Sequence, residues 1–185
     1  MNMKSLLSLC ALLPALTLPA HAHNLTVGQP LPSTSVADKG ELILQGNDIV
    51  YQPWQTSQLS GKVRVIQAIA GRSSAKELNA PFIETIKSAN LPHDQYQTTT
   101  IINQDDAIWG TGGFVKSSAE DSKKEFAWSS IVLDATGQVR SRWALKEESS
   151  AIIVLDPAGK VVFVKEGELS RSDIEQAMSK IQSLL

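Results

Sequence analysis

The run Arg72-Ser73-Ser74-Ala75-Lys76-Glu77 brings several chemically useful side chains together. Ser73 and Lys76 are three apart, so on a helix they share a face. A lysine placed there could draw the proton from a serine hydroxyl and leave a nucleophile for hydrolysis or acyl transfer. The same run opens a helix, whose first backbone N–H groups favour an anion. Ser74 with Glu77 three residues on also has the spacing of a capping box. That reading asks only that Arg72 and Lys76 stay solvated. The cap is the favoured reading, and the anion contact and the nucleophile stand as alternatives.

Other candidates are thinner. The chain has three histidines and one cysteine. His23 would chelate copper through its α-amine and imidazole if it were the first residue of a processed chain, with His93 as the second nitrogen donor available there. His93, in Leu91-Pro92-His93-Asp94, otherwise suits a turn after a helix. Trp109-Gly110-Thr111-Gly112-Gly113 lacks both the dinucleotide and the P-loop spacing. Its glycines suit a tight loop, and Trp109 is either a contact residue or tucked against the core. Asn103-Gln104-Asp105-Asp106 lacks the alternation of a calcium loop. No cofactor or resident metal is expected.

These residues need elements to hold them. Leu25 to Ser35 reads as an extended lead-in, and Gly40–Leu44 with Asp48–Gln52 as a strand pair about Gly46-Asn47. Lys62 to Ala70 is apolar enough for a buried central strand. A helix is expected from Ser74 to Ala89, with Leu78, Phe82 and Ile86 on one face and a kink at Pro81. Gln97 to Asn103 is a β-branched strand. Phe114 to Phe126 reads as a helix whose Lys116, Glu120, Asp121, Lys123, Lys124 and Glu125 form a solvated face. IVLDATGQV (131–139) and IVLDPAGKV (153–161) look alike: each is a strand followed by a turn ending at Gly137 or Gly159. Val161–Val164 is the last strand, and Ser170 starts a final helix with Ile174, Ala177, Met178, Ile181 and Leu185 inward. Strands alternating with helices make an α/β sandwich about a mixed sheet.

Residues 1–22 stand apart. Lys4 precedes an almost wholly apolar run from Ser5 to Leu18, and Ala20-His21-Ala22 is a small-x-small cleavage site. A cleaved export signal is expected, followed by a single domain at 23–185 with no membrane anchor. Cys10 lies within the signal, so the processed chain is expected to hold no thiol for disulfide exchange or metal ligation. The 185 residues carry a net charge of −2 with no long run of either sign. That balance, with no basic stripe, argues against nucleic acid and a polybasic membrane surface.

Val27-Gly28-Gln29 with Pro30 and Pro32, Gln58-Leu59-Ser60-Gly61-Lys62-Val63, and Ser150-Ala151-Ile152-Ile153-Val154-Leu155-Asp156-Pro157-Ala158-Gly159-Lys160 resemble the motifs of secreted thioredoxin-like domains of the thiol-reductase and peroxiredoxin type. In that resemblance the redox cysteines correspond to Ser73 and Lys76, and the usual cis-proline to Ser150. GKVRVIQAIAGRSSAKELNA (61–80), IKSANLPHDQYQTTTIINQDDAI (86–108) and EESSAIIVLDPAGKV (147–161) are similar to the YtfJ family of exported Gram-negative proteins. The resemblance implies a thioredoxin-like sandwich with an N-terminal β extension, a periplasmic location and no assigned activity. On this basis the chain is expected to be a non-redox binding or accessory module, with an unknown periplasmic protein or a small ligand as partner. Its expected contact face is Arg72, Ser73, Ser74 and Lys76, Trp109, and the Ser149-Ser150 loop. The alternatives are a Ser73/Lys76 enzyme and copper capture at His23.

Overall fold

The computed structural model describes residues 23–185. The expected leader, with Cys10, lies outside them. Seven strands form one mixed sheet in the order β2-β1-β5-β4-β3-β6-β7. They are β1 (Ser35–Gln45), β2 (Asp48–Gln55), β3 (Val63–Ala70), β4 (Tyr96–Asn103), β5 (Ser130–Asp134), β6 (Ser150–Leu155) and β7 (Val161–Glu166). The helices are α1 (Ser73–Leu78), α2 (Ala80–Ser88), α3 (Gly112–Glu125), α4 (Gln138–Trp143) and α5 (Arg171–Gln182). β3, β4 and β5 run parallel, β6 is antiparallel to β3, and the β1–β2 hairpin is appended to β5. This is the thioredoxin-like sandwich with its N-terminal β extension.

Alternation along the central strands divides the core. Ile66, Ile101, Val132 and Ile153 face Val139 and Trp143 of α4. On the opposite face Val63, Val65, Ile152 and Val154 pack under Phe82 and Ile86 of α2 and Ala177, Met178 and Ile181 of α5. Ile131 and Leu133 pack with Ala119 of α3 and Leu42. α2 and α3 therefore cover the same face, but in two separate clusters.

Four expectations are corrected. The helix expected at 74–89 is two helices, broken at Asn79. Pro81 sits in the first turn of α2 rather than at a kink, because it lacks an N–H and disfavours helix just before it. The 1%-exposed Asn79 ties the break down. Its amide donates to Ser150 Oγ (2.9 Å) and the Gly167 carbonyl (3.0 Å) and accepts from Leu169 N (3.0 Å).

The Ser74–Glu77 capping box does not form. Arg72 is the N-cap of α1, without a side-chain bond, and Ser74 lies inside the first turn. The box forms instead at Ser170 and Asp173 of α5.

The two look-alike segments diverge after their glycines. Asp156 accepts from Lys160 N (2.9 Å), and a hairpin to β7 follows. Asp134 accepts from Gln138 N (3.0 Å) and Val139 N (2.8 Å), the first N–H groups of α4. That helix was not expected from the sequence.

Lys123 is not on a solvated face. It is 6% exposed, and its ammonium donates to the carbonyls of Ala127 (2.9 Å) and Ser129 (2.6 Å), closing the chain reversal after α3.

Candidate functional site

The expected reactive corner lies where β3 and β4 end and β6 begins. Ala70 N donates to the Ser149 carbonyl (3.0 Å) and Gly71 N to the Asn103 carbonyl (2.8 Å). Arg72 leaves this junction and is spent at once. Its Nε donates to the Asp106 carbonyl (2.8 Å), and its Nη2 meets Asp106 Oδ1 (3.1 Å) and Glu148 Oε1 (3.0 Å). Glu148 N donates in turn to Asp106 Oδ2 (2.6 Å). The guanidinium staples the α1 entry to two loops rather than waiting for an anion.

Ser73, Ser74 and Lys76 are exposed. No hydrogen bond joins Ser73 to Lys76 among the described residues, so the geometry a nucleophile requires is not formed. Ser149 and Ser150 are buried, and Ser150 Oγ is taken by Asn79. That loop therefore offers backbone to the corner rather than a contact surface. Trp109 is 98% exposed, not tucked against the core. Of the glycines around it, Gly110 has positive φ (81°), while Gly112 and Gly113 already belong to α3. Nδ1 of His23 accepts from Leu25 N (3.3 Å). His93 stacks on Trp128 at 3.9 Å. Among the described residues no group of three or more His, Cys, Asp or Glu side chains could hold a metal.

The residues that sequence reasoning missed lie beside this corner. A groove of about 750 Å³ opens there and runs between α2 and α3. Arg72, Ser73 and Lys76 line one end, and His93, Tyr96 and Trp128 the other. The floor is the β4 face carrying Tyr96, Thr98, Thr100 and Ile102, with Gln67 of β3 beside Thr100. The walls are largely apolar: Ile83, Ile86 and Leu91 on the α2 side, and Phe114, Val115 and Phe126 on the α3 side.

The floor explains the groove. Thr98 and Thr100 occupy positions where apolar side chains would join the two clusters under α2 and α3, and hydroxyls do not drive such closure. The floor is partly unsatisfied as well. Gln67 is 5% exposed, yet its Nε2 has no hydrogen-bond partner. Tyr96 shares a 2.5 Å hydrogen bond with Thr98, and burial pushes its phenol up to about 12. The signal was present in the sequence. The alternation Tyr96-x-Thr98-x-Thr100-x-Ile102 puts hydroxyls on one face of a strand with helix-forming segments on both sides.

Sheet order, helix placement and the corner define the class: a thioredoxin-like protein whose one cysteine, Cys10, is far in sequence from the corner. A family model described as "Bacterial protein of unknown function (YtfJ_HI0045)" matches residues 25–184, and the chain belongs to that family. It is 50% identical over 186 residues to the uncharacterised YtfJ protein of Escherichia coli K12, covering 100% of both chains. An uncharacterised protein of Haemophilus influenzae is 52% identical over 163 residues, 88% of this chain and 89% of that one. Among solved structures, a candidate protein disulfide isomerase of Bacteroides thetaiotaomicron superposes with a TM-score of 0.59 at 18% identity, over 88% of this chain and 92% of that one. The thioredoxin domain of a Bacteroides vulgatus thiol-disulfide oxidoreductase gives 0.55 at 18%, over 84% and 97%. These likenesses share the fold.

Proposed function

We propose that the protein is an exported, periplasmic binding module that uses the thioredoxin-like frame without thiol chemistry. The observation that carries this reading is the open groove at the corner, whose buried floor amide on Gln67 lacks a partner. Large concave sites with few convergent polar groups are where proteins of this size hold ligands. Two features agree. In the resemblance to thiol reductases, Ser73 and Lys76 correspond to the redox cysteines. Ile108, Trp109 and Phe114 leave an exposed apolar rim beside the groove mouth, and such rims suit partner contact. Export is supported by residues 1–22, and none of the described helices is long and apolar enough to cross a membrane.

Site-specific photo-crosslinking in living cells tests the reading. Probes go at Ser73 and Trp109, with a control at Lys180 on the exposed side of α5. Discrete adducts at the first two positions and none at the control are expected. Equal adducts everywhere, or none from a protein that fractionates with the periplasm, would overturn it. Mass spectrometry of the purified protein should find His23 at its N-terminus, and reduction of insulin should proceed no faster than without it.

A further inference from the structure

We infer that the groove holds an extended, apolar polypeptide segment bearing an acidic residue, supplied by a partner protein. This rests on the binding-module reading above.

Length is the first argument. The floor follows β4 from Tyr96 to Ile102, about 20 Å at the rise of a strand, which matches roughly six residues of extended chain. Lys87 of α2 reaches over the Phe126 ring at 5.1 Å, so the walls close to side-chain reach at that end. An α-helix, about 10–12 Å across with its side chains, would have to part that contact, whereas an extended chain is thinner.

Chemistry is the second. Apolar walls suit apolar side chains. Gln67 lines the groove with its Nε2 buried and unpaired, and once the side chain turns toward an occupant it needs an acceptor that peptide carbonyls supply at regular intervals. An acyl chain of the same length would bury that amide against methylenes and leave it unpaired.

Charge is the third. Lys76 forms no ion pair among the described residues, and Lys87, besides lying over the Phe126 ring, is paired with the exposed Glu84 at 2.9 Å. Glu125 is the one carboxylate in the lining. An acidic residue on the occupant is therefore complemented from the α1–α2 side. From the lining residues Ile108 and Phe114, the exposed Trp109 extends the apolar surface outward for the rest of the partner.

The test uses protein purified from the periplasm and a phage-displayed random heptapeptide library. Counter-selection is against Ser118→Trp, which plugs the groove from the exposed side of α3. Enriched peptides should be apolar with one acidic position. By fluorescence anisotropy they should bind wild type at micromolar concentration, at least about 10-fold more weakly to Gln67→Met and to Lys76→Ala, and not measurably to Ser118→Trp. Gln67→Met keeps the shape and removes the amide, so it remains informative if Ser118→Trp fails to fold. Palmitate is the competing probe. No enrichment over Ser118→Trp, peptides indifferent to Gln67→Met, or saturable palmitate binding without peptide binding would overturn the inference. If crosslinks at Ser73 and Trp109 persist in that case, the binding-module reading stands and only the class of occupant is wrong. If they are absent too, both fail.

Discussion

Lys123 shows how a charge is used when it is not exposed. Its stem crosses the end of α3, and its ammonium satisfies two carbonyls that the chain reversal would otherwise bury unpaired. Burial lowers its pKa, and Glu41 partly opposes that shift. Lys123→Ala should cost about 2–3 kcal/mol, the cost of leaving those acceptors unmet, measured by urea denaturation. A loss no larger than that of Lys124→Ala would show that the two bonds contribute nothing. Asp134 is the acidic counterpart. Burial raises its carboxyl above 3.8, against the lowering effect of the Val139 and Gln138 N–H groups. A raised folded-state value means that its contribution is fully present below the unfolded value and is lost as pH rises through the folded one. The stability of wild type relative to Asp134→Asn should therefore fall as pH rises from below the ordinary aspartate value of 3.8 through the raised folded-state one. A difference that grows with pH would contradict the buried setting.

At the scale of elements, the break between α1 and α2 fixes the geometry of the corner. α1 carries Ser73 and Lys76, and α2 carries the groove wall. Asn79 holds the joint to β6 and to the loop after β7 through three hydrogen bonds. Asn79→Ala should cost about 2–3 kcal/mol, because Ser150 Oγ and two backbone groups lose a buried partner. It should also raise amide hydrogen exchange in α1 more than in α5. Uniform exchange across the molecule would mean that the joint is not a local hinge. The look-alike segments obey the same logic of local contrast. An Asp-x-x-Gly turn with a left-handed glycine serves both Gly137 (φ 69°) and Gly159 (φ 81°). The residues after each glycine decide between helix and strand: Gln138-Val-Arg-Ser-Arg-Trp after the first, and Val161-Val-Phe-Val beyond Lys160 after the second.

At the scale of the molecule, the groove is a place where packing is left incomplete. Its floor costs stability, because the Gln67 amide is buried without a partner. Gln67→Met should raise stability by about 1 kcal/mol while weakening ligand binding. A rise in melting temperature with adducts at Ser73 and Trp109 diminished is the expected pair of results. A fall in melting temperature would show that the amide is satisfied in solution.

Much of the frame was legible in the chain itself. The buried strand at 63–70 announced itself by density, the hairpin by its Gly46-Asn47 turn, and α5 by an apolar stripe behind Ser170. These signals are local, because periodicity, turn chemistry and capping act within a few residues. Equally local was the absence of cysteine from Ser73 to Lys76. The tertiary structure decided what depends on neighbours remote in sequence. It spent Arg72 on Asp106 and Glu148, buried Ser150 under Asn79, turned Lys123 inward and left Trp109 outside. It also placed α2 and α3 on one face of β4, which turned two threonines from ordinary strand residues into the floor of a groove. No spacing rule encodes that, because the space left between two helices is set by how both pack on the sheet.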